Sequence, residues 1–268
     1  MDAFSTYLPK SQVKIEDEVK ARKDIQVDLR ERINSYIYKI DHEFALDNYD
    51  YVLQTVNDKT IKDIYRLLGP FDHYEYNELD DDLEALRSMN MEFVPRKSGA
   101  IYRGQVNIEN NKPDGIGFKV FPNNAIFEGL FEEGQINGYG RAITSRGELY
   151  QGPFIYDKME GMGLFQWPDG RVYYGNFKDA KKSGHGTYLW PSGQCYVGEF
   201  KADECHGEGI MYYPDGKEFK GAWKEGKKHG AATYKWPNGA EYFVNYVDGK
   251  LQGEGRLQNT TASLDYYK

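Results

Sequence analysis

Residues 173–195 read YYGNFKDAKKSGHGTYLWPSGQC, and residues 196–218 read YVGEFKADECHGEGIMYYPDGKE. Laid over one another, both keep an aromatic at the first and fifth positions and Gly at the third. A G-x-G pair and a closing aromatic-Pro-x-Gly follow at fixed offsets. The same register opens at Tyr102, Phe127, Tyr150, Tyr173, Tyr196, Phe219 and Tyr242, after intervals of 25 and then 23 residues. A repeat of that length sets the fold before any single residue is considered.

Each unit predicts a β-hairpin. Aromatic, x, Gly, x, aromatic has the period of two that places alternate side chains on one face of a strand. Trp167-Pro168-Asp169-Gly170, Trp190-Pro191-Ser192-Gly193, Tyr213-Pro214-Asp215-Gly216 and Trp236-Pro237-Asn238-Gly239 read as turns. Pro presets φ there and the closing Gly takes a positive φ without a clash. The six polar residues between strands, Lys201 to His206 for example, are expected as a loop. A simple register puts the fifth position opposite the first glycine of G-x-G and the third-position Gly opposite the second. Tyr150 then meets Phe165, Tyr173 meets Tyr188, Tyr196 meets Met211 and Phe219 meets Tyr234. Large rings would lie on or beside backbone without side chains, which explains why the pattern needs both residue types.

The first hundred residues differ. They hold two of the 29 glycines, Gly69 and Gly99, and carry 14 Lys and Arg against 21 Asp and Glu. The pattern predicts an α-helical N-terminal region over 1–100, with helices near 11–45, 58–68 and 77–90. Ile15, Val19, Ile33, Ile37, Ile40 and Phe44 recur at helical spacing in the first. Ile61, Ile64, Tyr65 and Leu68 share a side of the second, which stops at Gly69-Pro70. The third opens at Asn77 with an acidic first turn. The boundary is placed at Pro95 to Gly99, the repeat array at 101–262 and a capping tail at 263–268. The fold class is mainly β with an α-helical N-terminal region.

Composition narrows the chemistry. Net charge is −8 and the isoelectric point near 5.3, so the chain lacks the basic footprint of a nucleic-acid binder. Mean hydropathy is −0.76, and no apolar run approaches the ~20 residues of a membrane span. The first residues lack the basic and apolar regions of a signal peptide. With two cysteines, Cys195 and Cys205, neither a disulfide framework nor a four-Cys zinc site is available. A cytoplasmic protein is expected.

The seven in-phase units resemble the MORN (membrane occupation and recognition nexus) repeat family, from 102 to about 258. The resemblance implies a single elongated, twisted antiparallel sheet of consecutive hairpins, roughly 65 Å long at ~4.8 Å per strand. Val244, Ala232 and Asn259-Thr260-Thr261 depart from the pattern and mark the last unit as degenerate. The resemblance also implies an enzyme-free component of ciliary, axonemal (radial-spoke-like) or other cytoskeletal assemblies. A partner helix along the aromatic face is a mode known in such families.

No catalytic, cofactor or metal site is expected. His185, His206 and His229 recur because the repeat recurs, and G-x-G here lacks the third glycine and following helix of a dinucleotide site. The candidate partner-binding residues are the ring columns: Tyr150, Tyr173, Tyr196 and Phe219 on first strands, and Trp167, Trp190, Tyr213 and Trp236 beside turns. A one-layer sheet must be covered by another layer, either its own helices or a partner. Lys181-Lys182 and Lys227-Lys228 are expected in hairpin loops as solvated charge, with anionic-lipid contact the lesser reading. The leading function is a non-catalytic scaffold for protein partners in a large assembly. The alternatives are a phospholipid-binding membrane-junction adaptor and a regulatory subunit of an enzyme complex.

Overall fold

A computed structural model describes residues 42–71 and 87–258. Helix α1 spans His42–Thr55 and helix α2 spans Lys59–Leu68. Asp58 caps α2 by accepting from the Ile61 N–H at 3.1 Å, and Gly69, at φ 70°, closes it by donating its N–H to the Tyr65 carbonyl. Ile61, Tyr65 and Leu68, four and three residues apart, form its buried side. Of the expected 11–45 helix, residues 11–41 lie outside the described residues. Of the expected 77–90 helix, residues 77–86 lie outside them. Residues 87–90 are strand instead, paired Arg87↔Asn107 through Asn90↔Gly104. Cross-strand pairing overrides local helical preference there. The tail at 263–268 is also outside the described residues.

The sheet has sixteen strands, each hydrogen-bonded to its neighbour in sequence, except that the short β7 pairs only β6 and β8 follows β6 in the order. They are β1 Arg87–Pro95, β2 Ile101–Asn107, β3 Pro113–Val120, β4 Ile126–Glu132, β5 Gln135–Ile143, β6 Leu149–Ile155, β7 Lys158–Met159 and β8 Gly161–Gln166. Then come β9 Val172–Lys178, β10 Lys181–Leu189, β11 Cys195–Lys201, β12 Glu204–Tyr212, β13 Glu218–Lys224, β14 Lys227–Lys235, β15 Glu241–Val247 and β16 Lys250–Gln258. The chain divides into two compact units between Gly184 and His185.

Two kinds of turn alternate. At one end, Gly170 donates its N–H to the Trp167 carbonyl and Trp167 donates to Arg171. This is a three-residue loop with a left-handed last residue. The same pair of bonds recurs from Arg96, Phe121, Thr144, Trp190, Tyr213 and Trp236. Arg96-Lys97-Ser98-Gly99, expected as a domain boundary, is therefore a turn inside the sheet, and the array begins one strand before the first repeat. Thr144-Ser145 makes the turn without Trp-Pro because Gly147, at φ 81°, supplies the left-handed position.

At the other end the chain turns in two residues, both at positive φ. Glu133-Gly134, Tyr156-Asp157, Asp179-Ala180, Ala202-Asp203, Glu225-Gly226 and Asp248-Gly249 do this. That is the turn type whose twist matches flanking strands. The expected six-residue loops are thus corrected to two-residue turns, and the other four residues extend the strands, save Glu160 between β7 and β8. Lys181, Lys182, Lys227 and Lys228 lie in strands β10 and β14, not in loops.

The register follows the expectation in one half and departs in the other. Gly129 faces Gly140, Gly198 faces Gly209, and Tyr150, Tyr196 and Phe219 meet Phe165, Met211 and Tyr234. A bulge then shifts the pairing, so the fifth position faces Ile136, Cys205 or Lys228 rather than a glycine. The first glycine of G-x-G instead faces the fifth-position ring of the next unit: Gly138 with Phe154, Gly161 with Phe177, Gly207 with Trp223.

In the unit ending at Gly184, helices α1 and α2 cover one sheet face. Val52, Val56, Ile61, Tyr65 and Leu68 pack on Phe118, Val120, Ile126, Ile143, Leu149 and Leu164. A charged pair is sealed beneath them. Arg141 donates to Glu128 at 2.6 Å and to the Gly69 carbonyl at 3.0 Å, between the rings of Tyr65 and Phe71. Arg103 donates to Asn48 of α1 at 2.9 Å. Burial first, and the Glu128 charge second, hold the Tyr65 phenol well above its ordinary value.

Candidate functional site

In the unit ending at Gly184 the first and fifth rings lie on the sheet face opposite the helices, and in the other unit they likewise share one face. Tyr102, Phe127, Tyr150 and Tyr196 each lie across the glycine pair of their own hairpin. A Cβ at Gly163 would sit 2.5 Å from Tyr150 Cε2, and one at Gly152 would sit 2.5 Å from Tyr150 Oη. Fifth-position rings then stand edge-on at either side, Phe154 at 5.0 Å and Phe177 at 5.2 Å from Tyr150. The same arrangement places Phe200 at 5.2 Å and Trp223 at 5.3 Å from Tyr196. Edge-to-face contacts of this kind favour a fixed geometry as well as burial.

The phenols answer the bulge. Where the ladder slips, a carbonyl of the bulged strand is open to a further donor, as at Pro153, which also accepts from the Glu160 N–H at 3.0 Å. Tyr102 donates its hydroxyl to the Gln105 carbonyl, Tyr150 to Pro153, Tyr173 to Asn176 and Tyr196 to Glu199, each three residues on. Burial pushes the Tyr102, Tyr150 and Tyr196 phenols far above their usual value.

These contacts correct one half of the proposed docking face. Tyr150 is 3% exposed, and Tyr173, Tyr196 and Phe219 are 0% exposed. Their own polypeptide encloses them: Tyr150 and Tyr196 have bare glycine backbone below and rings at both sides, and Phe219 stands between Trp223 and Tyr246. They are core. The turn-side column differs: Trp167, Trp190, Tyr213 and Trp236 are half-buried. Each sits beside the ring two residues before it where that ring is aromatic. Phe165 is 4.4 Å from Trp167, Tyr188 is 4.4 Å from Trp190, and Tyr234 is 6.2 Å from Trp236.

Sequence reasoning missed the role of two lysines. Lys228 donates to the hydroxyls of Tyr213 (3.1 Å) and Tyr234 (2.7 Å), with its ammonium 4.2 Å from the centre of the Phe219 ring. Tyr246 closes the frame at 5.8 Å, its hydroxyl 3.0 Å from that of Tyr234. Burial and the Tyr234 hydroxyl push the Tyr246 phenol up to about 12. Lys182 occupies the matching repeat position, 5.5 Å from Trp167 and 5.9 Å from Tyr173. Lys181 and Lys227 remain exposed. The signal was legible as a recurring Lys nine residues after the opening ring, which strand pairing brings back onto the ring face.

Cys195 and Cys205 are not joined in a disulfide. Among the described residues no three His, Cys, Asp or Glu side chains gather as a metal site, and no helix is long and apolar enough to cross a membrane.

The chain has 10% identity to the TCP domain of SAS-4 (dCPAP) of Drosophila melanogaster, solved with a proline-rich motif of Ana2 (dSTIL), at TM-score 0.35 over 57% of this chain and 88% of that one. It has 16% identity to the TCP10 domain of Danio rerio CPAP, at TM-score 0.22 over 63% of this chain and 94% of that one. A search of curated proteins finds no significant match. The MORN repeat model matches six times in succession, at 107–126, 127–147, 150–170, 173–195, 196–218 and 219–241. Those matches fall on the hairpins whose rings, glycines and turns are set out above, and on that ground the chain belongs to the MORN repeat family.

Proposed function

We propose that this protein is a non-catalytic scaffold whose turn-side rings bind a protein partner within a large cytoskeletal assembly of the ciliary or axonemal kind. The observation that carries the reading is a contrast found within each unit. The first-strand rings are sealed, whereas Trp190, Tyr213 and Trp236 in one unit, and Trp167 in the other, stay half-open on rigid turns. Rigid, partly open Trp and Tyr side chains give large contact area at low entropic cost, the usual make-up of a binding hot spot. The ciliary setting rests on family resemblance. The lipid reading is weakened because Lys182 and Lys228 already face rings, and Lys181 and Lys227 fall short of the four or more basic residues that lipid-binding clusters use.

Cross-linking mass spectrometry on the native assembly tests the proposal. Links from Lys217 or Lys235, which flank the turn-side rings, to another protein support it. Intrachain links alone, from a chain that migrates as a monomer in native extracts, overturn it.

A further inference from the structure

We infer that Trp190, Tyr213, Trp236 and the Lys228 ammonium receive an acidic segment in polyproline II conformation; this rests on the docking reading above and names the partner's chemistry.

A frame of aromatic rings ordinarily attracts a cation. Here Tyr213, Phe219, Tyr234 and Tyr246 already surround the protein's own ammonium, within 4.2 to 5.8 Å of their ring centres. A partner's lysine or arginine is therefore excluded, and the charge selected at this place is negative. The ammonium has three donors. Two go to phenols rather than carboxylates, so an incoming carboxylate completes the set. Alternation along β13 and β14 turns Phe219, Trp223, Lys228 and Tyr234 to this face and Glu218, Lys220, Thr233 and Lys235 to the other. The charge this hairpin sets among its rings is positive, in a chain whose net charge is −8. Asp215, at the adjacent turn, is already engaged by Lys217 at 2.9 Å.

Spacing selects the backbone. Trp190, Tyr213 and Trp236 follow β10, β12 and β14, so successive rings are two strands apart, about 9.6 Å. A polyproline II helix repeats every three residues, about 9.3 Å. Its every third residue therefore meets successive rings almost in step. The nearest α-helical repeat, seven residues, advances about 10.5 Å and drifts out of register by roughly 2 Å across three rings. An extended strand returns to the same face every two residues, about 6.8 Å, and does not match. Proline on Tyr213 and Trp236 with an acid between them satisfies rings and ammonium together. The expected motif is Pro-x-x-Pro with Asp or Glu inside it.

The test uses the full chain and fluorescein-labelled peptides of twelve residues, read by anisotropy. The probes are repeating Pro-Pro-Glu, repeating Pro-Pro-Lys, and a helical Glu/Ala peptide of equal charge. Repeating Pro-Pro-Glu is expected to bind in the micromolar range and to weaken as salt rises, and Pro-Pro-Lys is expected to bind at least tenfold more weakly. Lys228→Met keeps a chain of similar length in the frame and should weaken Pro-Pro-Glu at least tenfold with the circular dichroism unchanged. Trp236→Ala should do the same. Failure of Pro-Pro-Glu to bind, or equal binding to Lys228→Met, overturns the inference. Tighter binding of the helical peptide, lost in Trp236→Ala, overturns it while leaving the docking reading intact.

Discussion

Replacing Gly163 by Ala tests the ring-over-glycine packing at one atom. Gly163 does not occupy the left-handed region, so alanine brings no backbone strain there, and only the added methyl matters. That methyl would lie 2.5 Å from Tyr150 Cε2, 2.6 Å from Oη and 2.7 Å from Cζ. Carbon atoms settle at about 3.5–4.0 Å, so the ring must rise by about 1 Å. Rising breaks the 3.0 Å hydrogen bond from Tyr150 to the Pro153 carbonyl, a loss of about 1 kcal/mol. It also forces Tyr150 against Phe154 and Phe177, an overpacking cost of about 1–3 kcal/mol. The total is about 2–4 kcal/mol. In a Tyr150→Phe background the hydroxyl is already gone, and the same substitution should cost about 1 kcal/mol less. Gly226→Ala is the control. Nothing lies within 4 Å of its Cβ, but φ is +72°, so it should lose only the left-handed penalty of about 1 kcal/mol. Urea unfolding followed by near-ultraviolet circular dichroism, with hydrogen exchange of β6 and β8 amides, reads all three. A Gly163→Ala protein within about 0.5 kcal/mol of the parent, the ordinary scatter for a surface change, would refute the reasoning. The sequence holds a natural counterpart: Ala232 stands where the pattern has Gly, and there the ring is Phe219, which has no hydroxyl.

Other outcomes follow from the same contacts. Glu128→Gln and Arg141→Met each leave one buried charge without its partner and should cost about 3–5 kcal/mol in urea unfolding, whereas the double Glu128→Leu/Arg141→Met protein should lose less than either. Tyr173→Phe removes the 2.9 Å hydrogen bond to the Asn176 carbonyl and should cost about 1 kcal/mol, and Phe127→Tyr, whose ring lies over Gly140, should gain up to about 1 kcal/mol by reaching the Leu130 carbonyl. Tyr102, Tyr150 and Tyr196 have folded pKa values raised above the unfolded 10.0. Their contribution to stability is complete below pH 10 and is lost as pH rises beyond it. In a 295 nm titration these phenols should ionise only as the fold opens. Ionisation of all 23 tyrosines near pH 10, with native circular dichroism retained, would contradict their burial.

Much of the fold was legible because the repeat writes one hairpin several times. Third-position and second glycines face one another as spacing required, and the opening ring of each hairpin meets the residue two beyond. The bulge was not legible. It depends on the two-residue turns, and Asp179-Ala180 or Ala202-Asp203 carry no residue that announces a left-handed pair. Missing it displaced the fifth ring by a register step and put Lys182 and Lys228 in loops. Strand β1 was hidden because it lacks the aromatic-Gly pattern and follows an acidic stretch of helical character. The docking residues were half legible. Ring type and recurrence located both columns, but burial depends on what lies beneath, and bare glycine backbone lets Tyr196 sink fully.

The half-open turn-side rings, and not the sealed first-strand rings, are proposed to meet the partner. Hydroxyl-radical footprinting of the free chain and of the native assembly measures this directly. Trp190 and Trp236 should oxidise in the free chain and be protected in the assembly, while Tyr196 stays unreactive in both. Equal oxidation of the two tryptophans in both states, or a Tyr196 that reacts in the free folded chain, would contradict it.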